Sequence, residues 1–146
     1  MTEAPKSLRA FYGARERPQE ILTPQYIIDK LPWVPECDPC SCEGSLVPAT
    51  VRYFGPPHDP GGLVLPWVDR TFFNPPYKDL KLWLARAVEQ DTVWSIGLVP
   101  VRTHRKWFRE ALNACTDLEL LNPLKFVGYE QAFPAPLCLM SFGGSL

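Results

Sequence analysis

The chain of 146 residues is predicted to fold as an α/β domain with a largely parallel sheet. Three observations carry that expectation. Residues 92–99 form a nearly continuous apolar run, as a strand buried on both faces requires. Two stretches of helical periodicity, 78–90 and 103–115, flank that run. Twelve of the 17 prolines lie between Pro18 and Pro76, which confines the first half to loops and short strands and leaves the long helices to the second.

Residues 1–20 mix charge, Pro and Gly without periodicity and read as an N-terminal arm, flexible or partly docked. Its Lys6, Arg9, Arg15 and Arg17 are within reach of phosphates or simply solvated. Residues 21–146 are expected to form one domain, since the length supports a single core and is too short for two. The first helix should start at Thr23-Pro24, with Thr23 as cap and Pro24 in the first turn. Ile27, Ile28 and Leu31 then recur at helical spacing, and Pro32 ends the run. Short strands are expected at 33–37, 49–54 and 68–73. Helix 78–90 should bury Leu80, Trp83, Leu84, Ala87 and Val88. Helix 103–115 should bury Trp107, Phe108, Ala111, Leu112 and Cys115. Residues 118–127 and 137–142 read as two closing strands.

Composition sets limits on partners. The net charge is −1, so any nucleic-acid surface must come from local clustering of the 15 Lys and Arg residues. No apolar run reaches membrane-spanning length and the first 20 residues lack an export signal's apolar core. The expectation is a cytoplasmic protein with no membrane partner. Five cysteines, an odd number, argue for free thiols. Cys37, Cys40 and Cys42 lack the second close-spaced pair that would complete a zinc site, and two separated histidines make no triad, so no metal is expected. Cys115 and Cys138 sit in apolar patterns as core residues.

The stretch that carries chemistry is Phe72-Phe73-Asn74-Pro75-Pro76-Tyr77. An apolar strand ends in Asn, two prolines and an aromatic, directly before a helix. Ligand sites of open α/β sheets lie at the carboxyl ends of strands, and two prolines stiffen this turn. The chemistry it suits is methylation of a planar amino nitrogen, whose lone pair is delocalised into a ring. Two fixed oxygens, the Asn74 side chain and the Pro75 carbonyl, can accept its two N–H bonds and favour a localised lone pair. Tyr77 offers a face for a base turned out of its helix, worth roughly 1–3 kcal/mol. No side-chain nucleophile or metal is needed. Alone, the same four residues also read as a plain turn with Asn as helix cap.

Asn-Pro-Pro-Tyr is the catalytic motif of amino-methyltransferases, and its surroundings resemble the phage-type DNA N6-adenine methyltransferases. Thr23-Pro24, Asp38-Pro39-Cys40, Tyr53-Phe54, Asp59 with Gly62-Leu63, Trp67, Asn74 to Tyr77, Pro100, Thr103 and Trp107-Phe108 follow in that family's order. The resemblance spans about residues 22–142. It implies a Rossmann-like, S-adenosylmethionine-dependent fold with a closing antiparallel strand, and a phage or prophage origin. It also implies that Thr23 and Pro24 line the cofactor pocket, that Asp38 lies beside the cofactor's methionine portion with Pro39 also at the cofactor, and that Asn74 bridges cofactor and base. By the same resemblance Asp59 is a weaker candidate for a polar contact to the cofactor. Asn74, Pro75, Pro76 and Tyr77 would be the catalytic residues. The Gly-rich turn that many methyltransferases carry after the first strand is missing here, with Gly44 the one glycine in 38–45.

Arg102, His104, Arg105, Lys106 and Arg109 cluster at the start of the second long helix, and Lys78 follows the motif. They are the candidate contacts to DNA phosphates, against the alternative of a solvated helix face. Trp83, Trp94 and Trp107 read as core, while Trp33 and Trp67 fit either role. The expected activity is adenine methylation in DNA, with homodimerisation a possible feature because there is no room for a target-recognition domain. The competing readings are an RNA or protein-glutamine methyltransferase on the same fold, and a catalytically silent nucleic-acid-binding protein.

Overall fold

The structure is a computed structural model and describes residues 22–146. The expected N-terminal arm, 1–20, lies outside the described residues. The rest is a mixed α/β domain built on one six-stranded sheet. In chain order the elements are α1 (Gln25–Lys30), β1 (Cys37–Asp38), β2 (Val51–Arg52), β3 (Thr71–Phe73), a 3-10 turn (Tyr77–Asp79), α2 (Leu80–Glu89), β4 (Ser95–Pro100), α3 (Lys106–Ala114), β5 (Asp117–Leu120) and β6 (Leu137–Phe142). Across the sheet the order is β2-β1-β3-β4-β6-β5. The first four strands are parallel neighbours, and β6 runs antiparallel between β4 and β5.

Period-two alternation sends successive side chains to opposite faces. Phe72 of β3, Ile96 and Leu98 of β4, and Leu137 and Leu139 of β6 point to one core. Ile27 and Ile28 of α1 and the irregular segment carrying Leu124, Phe126 and Phe133 cover it. Phe73, Val99, Cys138, Met140 and Phe142 point the other way, against Leu80, Trp83, Leu84 and Ala87 of α2 and Phe108 and Ala111 of α3. Both faces of the sheet are thus closed, and every residue of β4 and β6 is buried. Gly97 is the one glycine of β4. It sits opposite Phe73, and a Cβ there would come 2.4 Å from Phe73 Cζ, so the bare backbone makes room for the ring.

Several elements differ from expectation. Helix α1 is capped by Pro24 with no side-chain bond, because the Thr23 hydroxyl is turned to Asn74 instead. Strands β1 and β2 shrink to two residues each, their flanks being held by single backbone bonds to loops. Val88 is 39% exposed rather than core, at the edge of the apolar stripe of α2. Residues 103–105 form a turn and α3 begins at Lys106, with Trp107, Leu112 and Cys115 only partly buried. After Leu120 the expected strand breaks, as Pro123 has no N–H for a ladder, yet Leu124 and Phe126 still anchor in the core. Trp67 joins the core, 5% exposed, its Nε1 donating to the Gly62 carbonyl at 2.7 Å. None of the described helices is long and apolar enough to cross a membrane.

Candidate active site

Parallel β1, β2, β3 and β4 bring their carboxyl ends to one edge of the sheet, and every sequence-nominated site residue from Asp38 to Arg109 follows one of those ends. Strand β3 delivers Asn74. Phe72 and Phe73, both fully buried, fix its end, and Pro75 is buried while Pro76 is extended (φ −61°, ψ 122°), so the turn has little freedom. Asn74 itself is half-buried. Its Nδ2 donates to Thr23 Oγ1 at 3.0 Å. Its Oδ1 lies 3.2 Å from the Tyr77 hydroxyl, which is also 3.3 Å from the Leu98 carbonyl, so one proton serves two acceptors.

Tyr77 is not an open platform. It is 7% exposed, and its ring meets Phe126 and Phe133 edge-on at centroid distances of 6.5 and 5.5 Å. The apolar ring is drawn into the α1-side core by the same segment that fails to continue β5. Sequence periodicity, which sees only near neighbours, could not place those phenylalanines over the motif.

Asp38 ends β1 and is 4% exposed. Burial raises its carboxyl from 3.8 to about 6, against the lowering effects of the Cys40 N–H, Ser41, the Arg52 guanidinium and Ser45. Its Oδ1 accepts from Cys40 N at 3.3 Å, and Arg52 Nη1 stands 4.0 Å from Oδ2. Thr23, Asp38 and Asn74 line one small cavity together with Cys40, Cys42 and Ser45. Its volume is about 10 Å³, room for about one water. Burial also pushes the Cys40 thiol well up, so it stays protonated and acts as wall rather than nucleophile.

Beyond Cys42 and Ser45, which border both spaces, opens a cleft of about 700 Å³. The described residues lining it include Ser41, Glu43, Arg52, Phe54, Pro56 and His58. That volume is in the range of small-molecule sites. Asp59 braces the cleft. Its two oxygens accept the backbone N–H groups of Phe54, Gly55 and Gly61 at 2.8, 2.9 and 2.7 Å, and these bonds hold its carboxyl below the usual range. Gly62 lies against Pro39, where a Cβ would come 2.1 Å from the carbonyl oxygen. Arg86 of α2 ties the same loop down through the carbonyls of Gly62, Val64 and Leu65. Pro39 is therefore engaged in packing, and Pro24 is buried at the start of α1.

The basic candidates follow β3 and β4. Lys78 is exposed on the 3-10 turn, Arg102 is half-buried, and His104, Arg105, Lys106 and Arg109 are exposed. Arg109 Nη1 donates to the Thr103 carbonyl at 2.8 Å, and Lys106 stands 3.9 Å from Glu110 at the surface. Such an exposed pair adds little to stability and leaves the charge accessible. Arg52 and Ser45 line these spaces although sequence reasoning passed over them, while Cys42 and His58, which also line them, were weighed there only as metal ligands. They belong to no motif, and only the parallel pairing of β1 with β2 gathers them.

Among the described residues, no group of three or more His, Cys, Asp or Glu side chains is arranged to hold a metal ion, and all five cysteines are free. No protein-family model, curated protein or solved structure matches the chain. The functional reading therefore rests on the residues and their arrangement.

Proposed function

We propose that this protein is an S-adenosylmethionine-dependent methyltransferase of Rossmann-like fold that acts on adenine N6 in DNA. The observation that carries the reading is the convergence of Asn74 with Thr23 and Asp38, the two residues that the family resemblance assigns to the cofactor, on one cavity at the carboxyl edge of the sheet. The antiparallel β6 agrees with the closing strand that the family resemblance implies. The cofactor is consistent with the donor set: a buried carboxylate at Asp38 for its ammonium, and an adjoining cleft of about 700 Å³ for its nucleoside. When bound it would supply a methyl group on a positively charged sulfur.

The chain's own residues position and polarise. An incoming adenine amino group replaces the Tyr77 hydroxyl at Asn74 Oδ1 and donates its second N–H to the Pro75 carbonyl. That leaves the Tyr77 proton to the Leu98 carbonyl, already 3.3 Å away. Held this way, the nitrogen's lone pair is less shared with the ring. The nitrogen takes the methyl group that the bound cofactor would supply, leaving S-adenosylhomocysteine, and one N–H proton passes to solvent. The wall of Cys42 and Ser45 has to give way for cleft and cavity to merge. Asn74→Ala should lower methyl transfer by roughly 100-fold or more, the scale of losing an aligned polar group at a reacting centre. The test is labelled cofactor with DNA, RNA and glutamine-containing protein acceptors. Label in N6-methyladenine of DNA that vanishes with Asn74→Ala supports the reading, and label confined to RNA or protein replaces it.

One observation favours a second reading, a catalytically silent nucleic-acid-binding protein: the space beside Asn74 holds about one water and Tyr77 is covered. That reading requires no measurable heat of S-adenosylmethionine binding in calorimetry, alongside retained DNA binding.

A further inference from the structure

The junction between cleft and cavity holds two opposite charges that the motif does not account for. Asp38 borders the cavity and Arg52 borders the cleft. Their nearest atoms are 4.0 Å apart, too long for a tight pair, and the Arg52 side chain is 29% exposed on the cleft side. Arg52 Nη1 donates to Ser41 Oγ at 3.1 Å and Nη2 to the Val47 carbonyl. Both acceptors lie in the segment 39–50 that joins β1 to β2 and carries Cys42 and Ser45. A guanidinium has more N–H donors than these two oxygens use, and its planar fork matches a carboxylate.

We infer that Arg52 and Asp38 together read an amino-acid zwitterion, Arg52 taking the α-carboxylate of the bound nucleoside's amino-acid portion and Asp38 its ammonium. The inference rests on the methyltransferase reading and adds to it a residue outside the motif. Arg52 grips Ser41 and Val47, holding the segment that separates cleft from cavity. A carboxylate arriving from the cleft competes for that grip. Ligand entry is thereby coupled to loosening of the Cys42–Ser45 wall, the barrier that leaves only about 10 Å³ beside Asn74.

The test compares three nucleosides by calorimetry: S-adenosylhomocysteine, its decarboxylated analogue, and 5′-methylthioadenosine, which lacks the whole amino-acid portion. In the unmodified protein, removal of the carboxylate alone should weaken binding roughly 10- to 100-fold, the scale of a charge-assisted hydrogen bond. Arg52→Gln should weaken S-adenosylhomocysteine by a similar factor while leaving 5′-methylthioadenosine unchanged, and Arg52→Lys should fall between. Equal binding of S-adenosylhomocysteine and its decarboxylated analogue by the unmodified protein overturns the inference without any mutation. So does a loss with Arg52→Gln that is the same for all three nucleosides, since that would mark a merely structural arginine. Absence of binding for every nucleoside overturns the methyltransferase reading itself, and this assignment with it.

Discussion

At the scale of single residues, Asp38 is the most informative group. Its carboxyl is raised from 3.8 to about 6, with burial as the leading cause. The folded chain therefore holds the proton more tightly than the unfolded chain. The stability this contributes is complete below 3.8 and is lost as pH rises through about 6. Above that the buried charge costs up to about 3 kcal/mol. Asp38→Asn has no charge to bury, so its urea-unfolding free energy should gain on the unmodified chain by up to about that amount between pH ~4 and ~7.5. A difference that stays flat across this range would show an ordinary carboxyl. The same replacement should weaken S-adenosylhomocysteine binding, and in the unmodified protein that binding should decline as pH falls through about 6. Asn74 was legible in the sequence because it sits in a short, chemically unusual motif, whereas Thr23, an ordinary helix start, and Asp38, an acid after a short strand, were singled out only by the family order. Arg52 was not legible, since Val51-Arg52-Tyr53 is an unremarkable strand fragment and its role arises only from what β1 puts beside it.

Among the elements, β3 and β4 are locked together by a ring and a gap. Phe73 lies where a side chain at Gly97 would be, so Gly97→Ala should destabilise the fold by about 1–3 kcal/mol, the usual cost of overpacking a core. Adding Phe73→Leu should recover part of that loss, and a thermodynamic cycle over the four proteins would measure the coupling. Additive effects would mean the two positions do not meet. The elements that sequence patterns located well are those whose pattern extends over many residues: the helical stripe of α2, the apolar run of β4, and β6, the last with the expected bounds. The two-residue strands β1 and β2 are too short to carry a period, and their pairing is decided by partners distant in sequence. Residues 121–127 misled the pattern for the opposite reason, because buried Leu124 and Phe126 look like a strand while the backbone between them pairs with none.

For the whole molecule, the parallel strands decide that motif, cofactor candidates and basic residues all emerge on one edge. Under the proposed function, a nucleic-acid strand would lie across the exposed Lys78 and Arg105 while a base reaches Asn74. Replacing both basic residues by Gln should weaken DNA binding and reduce its salt-dependence slope by roughly 0.9 per lost phosphate contact. S-adenosylhomocysteine affinity should stay the same, and an unchanged slope would remove these residues from the interface. The brace at Asp59 has a consequence for how such a molecule meets acid. Because three backbone amides favour its ionised form, Asp59 holds its charge below the usual carboxylate range, so its brace should persist at a pH at which Asp38 is already protonated. Mild acidification should thus silence the protein as a dimmer does a lamp, dulling its hold on a zwitterion while the receptacle keeps its shape, and neutral buffer should bring it back without refolding.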